Sequence, residues 1–249
     1  MSLLLMAGLT GTMIATAFLS GIFGMAGGMI LMGVLLALLP VPQAMALHAV
    51  TQMASNGWRG ALWWRYVRWW PVANFLAGCA LALAVWSLWR YVPSKPVAFI
   101  LLGTTPFLAR LMPADYAPDP FRFSHGMIYG TICASLMLLT GVSGPLLDQF
   151  FLGGGMERRQ IVATKAVCQM FSHGAKLIYF SRVVDSAAGI EPLMAALAFA
   201  ASMAGTSLAR PVLERLTDHQ YRRWATHIIT AIATIYLAQG FWLLMRGAA

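Results

Sequence analysis

Apolar positions run along this chain in long blocks, at residues 3–20, 43–64, 71–89, 96–112, 122–140, 160–181, 190–209 and 224–245. A membrane-crossing helix needs about 20 such residues, so each block predicts a span. Two shorter blocks, 29–39 and 145–152, follow glycine-rich breaks and are too short to cross alone. The pattern predicts an all-α polytopic membrane protein of about eight transmembrane helices, with glycine-broken helices among them. Polar positions interrupt two of these blocks in the same way. His48, Gln52, Asn56 and Arg59 stand at i, i+4, i+8 and i+11, and Lys165, Gln169, His173 and Lys176 repeat that spacing. At about 100° per residue the four offsets fall within about 80°, so each set forms a stripe on one helical face.

The flanks repeat as well. Residues 47–67 and 164–184 share eight identities in twenty-one positions. Chance in so apolar a composition gives roughly two, so the chain carries an internal duplication. It divides into an N-terminal membrane repeat over 1–112, a connecting loop over 113–121 and a C-terminal membrane repeat over 122–249. The seam, from Arg110 to Arg122, holds three prolines and four charges and is the most water-like part of the first half.

Composition strengthens the membrane reading. The chain of 249 residues is 59% apolar and 10% charged, against about 25% charged in a soluble domain. No charged side chain precedes Arg59, and neither a basic n-region nor a cleavage site is seen, so the N-terminus reads as a retained first span. The net charge of +9 comes from basic residues scattered over short loops and helix ends. That is interfacial anchoring rather than a nucleic-acid face. With eight crossings, loops 90–95, 158–159 and 210–223 share one side, and the positive-inside rule then leaves both termini outside the cytoplasm. Cys79, Cys133 and Cys168 lack metal-ligand spacing and read as core residues; no metal or cofactor is expected.

The stripes are the candidate chemistry. Trp58, Trp63, Trp64, Trp69 and Trp70 mark a membrane boundary. Counting back from Trp63 at about 1.5 Å per residue puts Asn56 about 11 Å and Gln52 about 17 Å deep. A central Lys costs about 2.5–3.5 kcal/mol, so Lys165 and Lys176 need compensation. They could line a hydrated anion cavity, pair with Asp148, or hydrogen-bond carbonyls exposed at a broken helix. Arg59 is shallow enough to snorkel. Gln52 and Gln169 can donate to an oxyanion without adding charge, or act as interhelical glue. The breaks around Gly21–Gly28 and Gly141–Gly144 form a second candidate site, in which Gly24, Gly27, Gly28, Ser143 and Gly144 open helix ends toward an anion; close packing through small residues is the alternative. Asp148, the acidic residue within an apolar stretch, is either a proton-coupling group or the partner of a lysine. Gly141-Val-Ser-Gly144 also matches the Gly-x-Ser-Gly pattern of rhomboid-type intramembrane proteases, with Ser143 as nucleophile and His173 as base. The duplicate of Ser143 is Phe23, so the repeat keeps the break and not the nucleophile.

On these residues the chain resembles the TauE/SafE sulfite exporter family, also called toluene sulfonate uptake permeases. The resemblance covers essentially the whole chain and is carried by Gly141-Val-Ser-Gly144-Pro145, by Val162-Ala163-Thr164-Lys165-Ala166 with Gln169, His173 and Lys176, and by Gly21, Gly24, Gly27 and Gly28. It implies a bacterial inner-membrane permease for sulfite, organosulfonates or related sulfur oxyanions, without an ATPase and without enzymatic activity. Its expected partners are a small sulfur-containing oxyanion and the lipid bilayer, with no nucleic acid; oligomeric state is open, a homodimer included. The resulting expectation is a secondary transporter whose two stripes line one central cavity, with an anion channel and the rhomboid-type protease as alternatives.

Overall fold

A computed structural model of the chain describes residues 3–23, 25–111, 118–152, 155–184, 190–213, 215 and 218–247. The expected loop 113–121 falls largely outside that set, as does Gly24. The described residues form ten α-helices and no strand: α1 Leu3–Phe23, α2 Ala26–Leu38, α3 Val41–Leu62, α4 Trp69–Trp89, α5 Lys95–Arg110, α6 Phe123–Thr140, α7 Gly144–Leu152, α8 Arg158–Ile178, α9 Pro192–Leu213 and α10 Asp218–Met245. The two short apolar blocks are the helices α2 and α7, which brings the helices to ten rather than about eight. Five helices, α1, α4, α6, α9 and α10, contain stretches long and apolar enough to cross a membrane. The polar stripes keep α3 and α8 out of that group, and α5 has 16 residues.

Local chemistry sets the helix ends. Pro40 precedes α3, which carries Pro42 in its first turn; α5 begins Lys95-Pro96. Proline is pre-organised there because the first helical amides lack partners in any case. α6 stops at Gly141, whose φ of 83° lies in the left-handed region that glycine enters without a Cβ penalty. Thr140 then satisfies the break itself: its Oγ1 donates to the Val142 carbonyl at 2.7 Å and accepts from the Val142 amide at 3.1 Å.

Helix pairs in this bundle approach closely through small residues. α4 and α6 run parallel, with Gly126 against Asn74 and Gly130 against Phe75 and Cys79. α1 and α9 run parallel likewise, with Gly205 against Ile14 and Ala17 and Gly21 against Thr206 and Ala209. Gly21 therefore serves packing. α3 and α8 are antiparallel: Gly57 meets Met170, Gly60 meets Val167 and Gly174 meets Met53. α5 and α10 are antiparallel too, Gly103 lying against Ala233 and Gly240 against Ile100. One core surrounds Met29, Met32, Leu35 and Phe99, and a second gathers Phe75, Tyr129, Phe150 and Phe151. Outward faces carry Leu88, Trp89, Ile235 and Met245, each at least 60% exposed, an apolar surface far beyond what water tolerates.

The loops sort to two ends. Arg159 donates to the Tyr66 hydroxyl at 3.0 Å, the Arg68 amide to Thr164 Oγ1 at 3.0 Å, and Trp70 Nε1 to the Phe121 carbonyl at 2.9 Å. These contacts gather residues 63–68, 118–122 and 155–159 at one end. The Tyr179 hydroxyl donates to the Tyr91 carbonyl at 2.8 Å at the other. Loop 90–95 is thus opposite 158–159, contrary to the eight-crossing expectation, because α2 and α7 each reverse the chain once more.

Candidate functional site

The two stripes face each other. The crossing of α3 and α8 is centred between Ser55 and Ser172, and on one side of that centre His48, His173 and Lys176 come together. Lys176 Nζ donates to His48 Nδ1 at 2.7 Å and to the Gly141 carbonyl at 2.9 Å. Because Nδ1 accepts, His48 carries its proton on Nε2, which donates to the Gly28 carbonyl at 2.9 Å. The His48 and His173 rings lie 5.5 Å apart. His48 and Lys176 have no exposed surface and His173 has 3%. Both partners of Lys176 are neutral acceptors. Hydrogen bonds to a charged group contribute about 1.5–3 kcal/mol each, enough for two of them to offset the insertion cost of a lysine.

The other stripe residues divide. Gln52 lies against Gly28, where a Cβ would sit 3.4 Å from its amide atoms. Asn56 Nδ2 donates to the Gln52 carbonyl on its own helix at 2.9 Å, and Arg59 Nη2 to the Ser20 carbonyl at 3.2 Å. Arg59 is thus engaged at the end of α1 rather than simply snorkelled outward. Lys165 forms an ion pair with Asp148 on α7, with side chains 17% and 38% exposed. Eleven residues separate Lys165 from Lys176, about 16 Å along α8, so Lys165 does not join the histidine cluster. For Asp148, pairing is the arrangement observed. Gln169 lies on the partly buried part of α8, one turn from Lys165 and from His173.

The breaks converge on the same region. Gly144, at the start of α7, lies against Met25, the residue before α2. The N-termini of two short helices therefore meet between the stripes, beside Gly28 and Gly141. Gly27 serves a different purpose: a Cβ there would strike the Thr16 carbonyl and Ser20, so it lets α2 fold back on α1. Ser20 Oγ, Ser143 Oγ and His173 Nδ1 are buried without a hydrogen-bond partner among the described residues. Among the described residues Ser143 and His173 make no hydrogen bond to each other, so the geometry gives the protease reading no support.

Pattern reading offers lysines a carbonyl at a broken helix, the arrangement Lys176 shows, but does not single out Met25, Ser20 or the Gly141 carbonyl. The last two act through backbone oxygens, which no residue type announces; Met25 is visible only as the neighbour of a glycine break. Over residues 9–237 the chain matches the family described as Sulfite exporter TauE/SafE. The chain belongs to the TauE/SafE family. It is therefore an integral membrane protein of a transporter family, in agreement with its outward apolar faces. No curated protein and no solved structure matches it. In this TauE/SafE protein no group of three or more His, Cys, Asp or Glu among the described residues is placed to hold a metal ion.

Proposed function

We propose that this TauE/SafE protein is a secondary transporter for a small anion, sulfite or an organosulfonate, in a bacterial inner membrane. The observation that carries the reading is the convergence of Lys176, His48 and His173 with the N-termini of α2 and α7. Helix N-termini present unpaired amides and a positive dipole end, which suits an anion. An ammonium has three donors, and Lys176 uses two on neutral acceptors, leaving one for a ligand. Gln52 and Ser143 add neutral donors at the same depth.

The two halves are read as inverted repeats of five helices each. In support, exchanging α1–α5 with α6–α10 maps α1·α9 onto α6·α4, α2·α10 onto α7·α5 and α3·α9 onto α8·α4, all observed packings. The duplicated helices α3 and α8 are antiparallel, as an axis in the membrane plane requires. Charge supports one orientation. The end holding loops 63–68, 110–122, 157–159 and 210–223 carries ten arginines: Arg65, Arg68, Arg110, Arg122, Arg158, Arg159, Arg210, Arg215, Arg222 and Arg223. The other end carries four basic residues, Arg90, Lys95, Arg182 and Arg246. By the positive-inside rule the first end is cytoplasmic and both termini are outside. Cysteines introduced singly at Ala117 and Ala249 should be labelled by an impermeant thiol reagent from opposite sides; labelling from one side would remove the arrangement.

The function is tested in proteoliposomes. Purified protein should move radiolabelled sulfite or methanesulfonate at carrier rates, and Lys176→Met should abolish it while the protein stays folded. Unchanged flux in that variant would end the site assignment, and single-channel currents would replace the carrier by a channel.

A further inference from the structure

His173 differs from the other ring and ammonium groups of the cluster in having a buried ring nitrogen with no partner among the described residues. His48 has both ring nitrogens occupied, one accepting from Lys176 and one donating to Gly28, so it is locked neutral. Beside a bound anion Lys176 supplies one positive charge. His173 Nδ1 is buried and unpartnered, with its ring 5.5 Å from that of His48 and one turn before Lys176 on α8. We infer that His173 is the proton acceptor that lets this site carry a doubly charged anion. The inference rests on the anion-transporter reading and deepens it.

Charge balance limits what so buried a cluster can hold. A monoanion beside Lys176 makes a neutral pair. A dianion leaves one uncompensated negative charge, and a lone buried charge is far more costly than a paired one. Taking one proton from the bulk onto the His173 imidazole restores neutrality, and the same proton leaves with the anion on the other side. The titratable groups around His173 leave it this role. On α8 itself Lys176 is already donating, and from α3 His48 is committed. From α4 comes Cys79, whose thiol meets Ser172 at 3.5 Å. Cys133 on α6 is a thiol, Asp148 on α7 is held by Lys165, and the Tyr179 hydroxyl beyond α8 is turned to Tyr91.

The test is calorimetric binding at pH 8.5 in two buffers of different ionisation enthalpy, where sulfite is a dianion and methanesulfonate a monoanion. Wild-type protein should take up one more proton with sulfite than with methanesulfonate, and His173→Gln should reduce that difference from one to none. If the difference persists in His173→Gln, the proton rides on sulfite itself and the inference is overturned. Should the variant not fold or not bind, ring nitrogen NMR of wild-type protein decides: both ring nitrogens of His173 should be protonated with sulfite and only one with methanesulfonate, and the same state with both anions would overturn the inference. Binding of both anions with equal proton uptake removes this inference and leaves the transporter reading standing. Failure of wild-type protein either to bind or to move either anion removes both.

Discussion

The first and last stripe residues do the same mechanical task in the two halves with different charge. In the N-terminal half, His48 grips the Gly28 carbonyl on α2 and Arg59 grips the Ser20 carbonyl at the end of α1. In the C-terminal half, Lys165 grips Asp148 on α7 and Lys176 grips the Gly141 carbonyl at the end of α6. Both stripes thus clamp their own broken helix across the break. The clamp recurs with a different charge: a neutral histidine on one side, an ion pair on the other. Burial differs accordingly. His48 and Lys176 are sealed, whereas Lys165 and Asp148 stay partly exposed and near the arginine-rich end. Positions matched by spacing in the two stripes therefore differ in burial and in partner.

The largest expected effect comes from the sealed side. Lys176→Met should weaken anion binding about 100-fold, corresponding to the 2–5 kcal/mol lost when a buried hydrogen-bonded cation is truncated; calorimetry with sulfite reads it. Lys165→Met should cost less than about 10-fold, because its charge is already taken by Asp148, which can still reach water. Equal losses in the two variants would show that the halves are not differentiated in this way. A double-mutant cycle over Asp148→Asn and Lys165→Met should return a coupling of about 1–2 kcal/mol in unfolding experiments in detergent. The smallest effect lies at the crossing of α3 and α8. A Cβ at Gly57 would sit 3.2 Å from Met170 Sδ, while at Gly174 the nearest atom is Met53 Cε at 3.7 Å. Gly57→Ala should cost about 1 kcal/mol through overpacking, whereas Gly174→Ala should stay within about 0.5 kcal/mol. Identical shifts would mean that the crossing is more symmetric than the side chains suggest.

Much of this was legible before any coordinates. The stripes stood out because polar groups at helical spacing in an apolar run are costly and hence meaningful. The two short blocks were visible as pieces following glycine breaks, and both are helices. Their consequence is not visible in the pattern: each adds a reversal of the chain, which moves loop 90–95 to the other end and turns a split of eight basic residues against six into ten against four. Asp148 was ambiguous for a different reason. A carboxylate and a lysine seventeen residues apart meet only if α7 folds back beside α8, and no periodicity encodes that. A Ser143–His173 hydrogen bond is likewise absent among the described residues, since a matching tetrapeptide fixes neither the direction nor the reach of a hydroxyl.

The sequence by itself determined that the chain is helical and membrane-embedded, and which faces carry charge, because hydropathy and helical period are local properties of successive residues. Only the tertiary structure decided that α3 and α8 cross head to tail, that Lys176 rather than Lys165 reaches the histidines, and that carbonyls of Gly28 and Gly141 complete the site. Those outcomes depend on how close two backbones can come, and that is settled by the glycines and methionines of both partners at once.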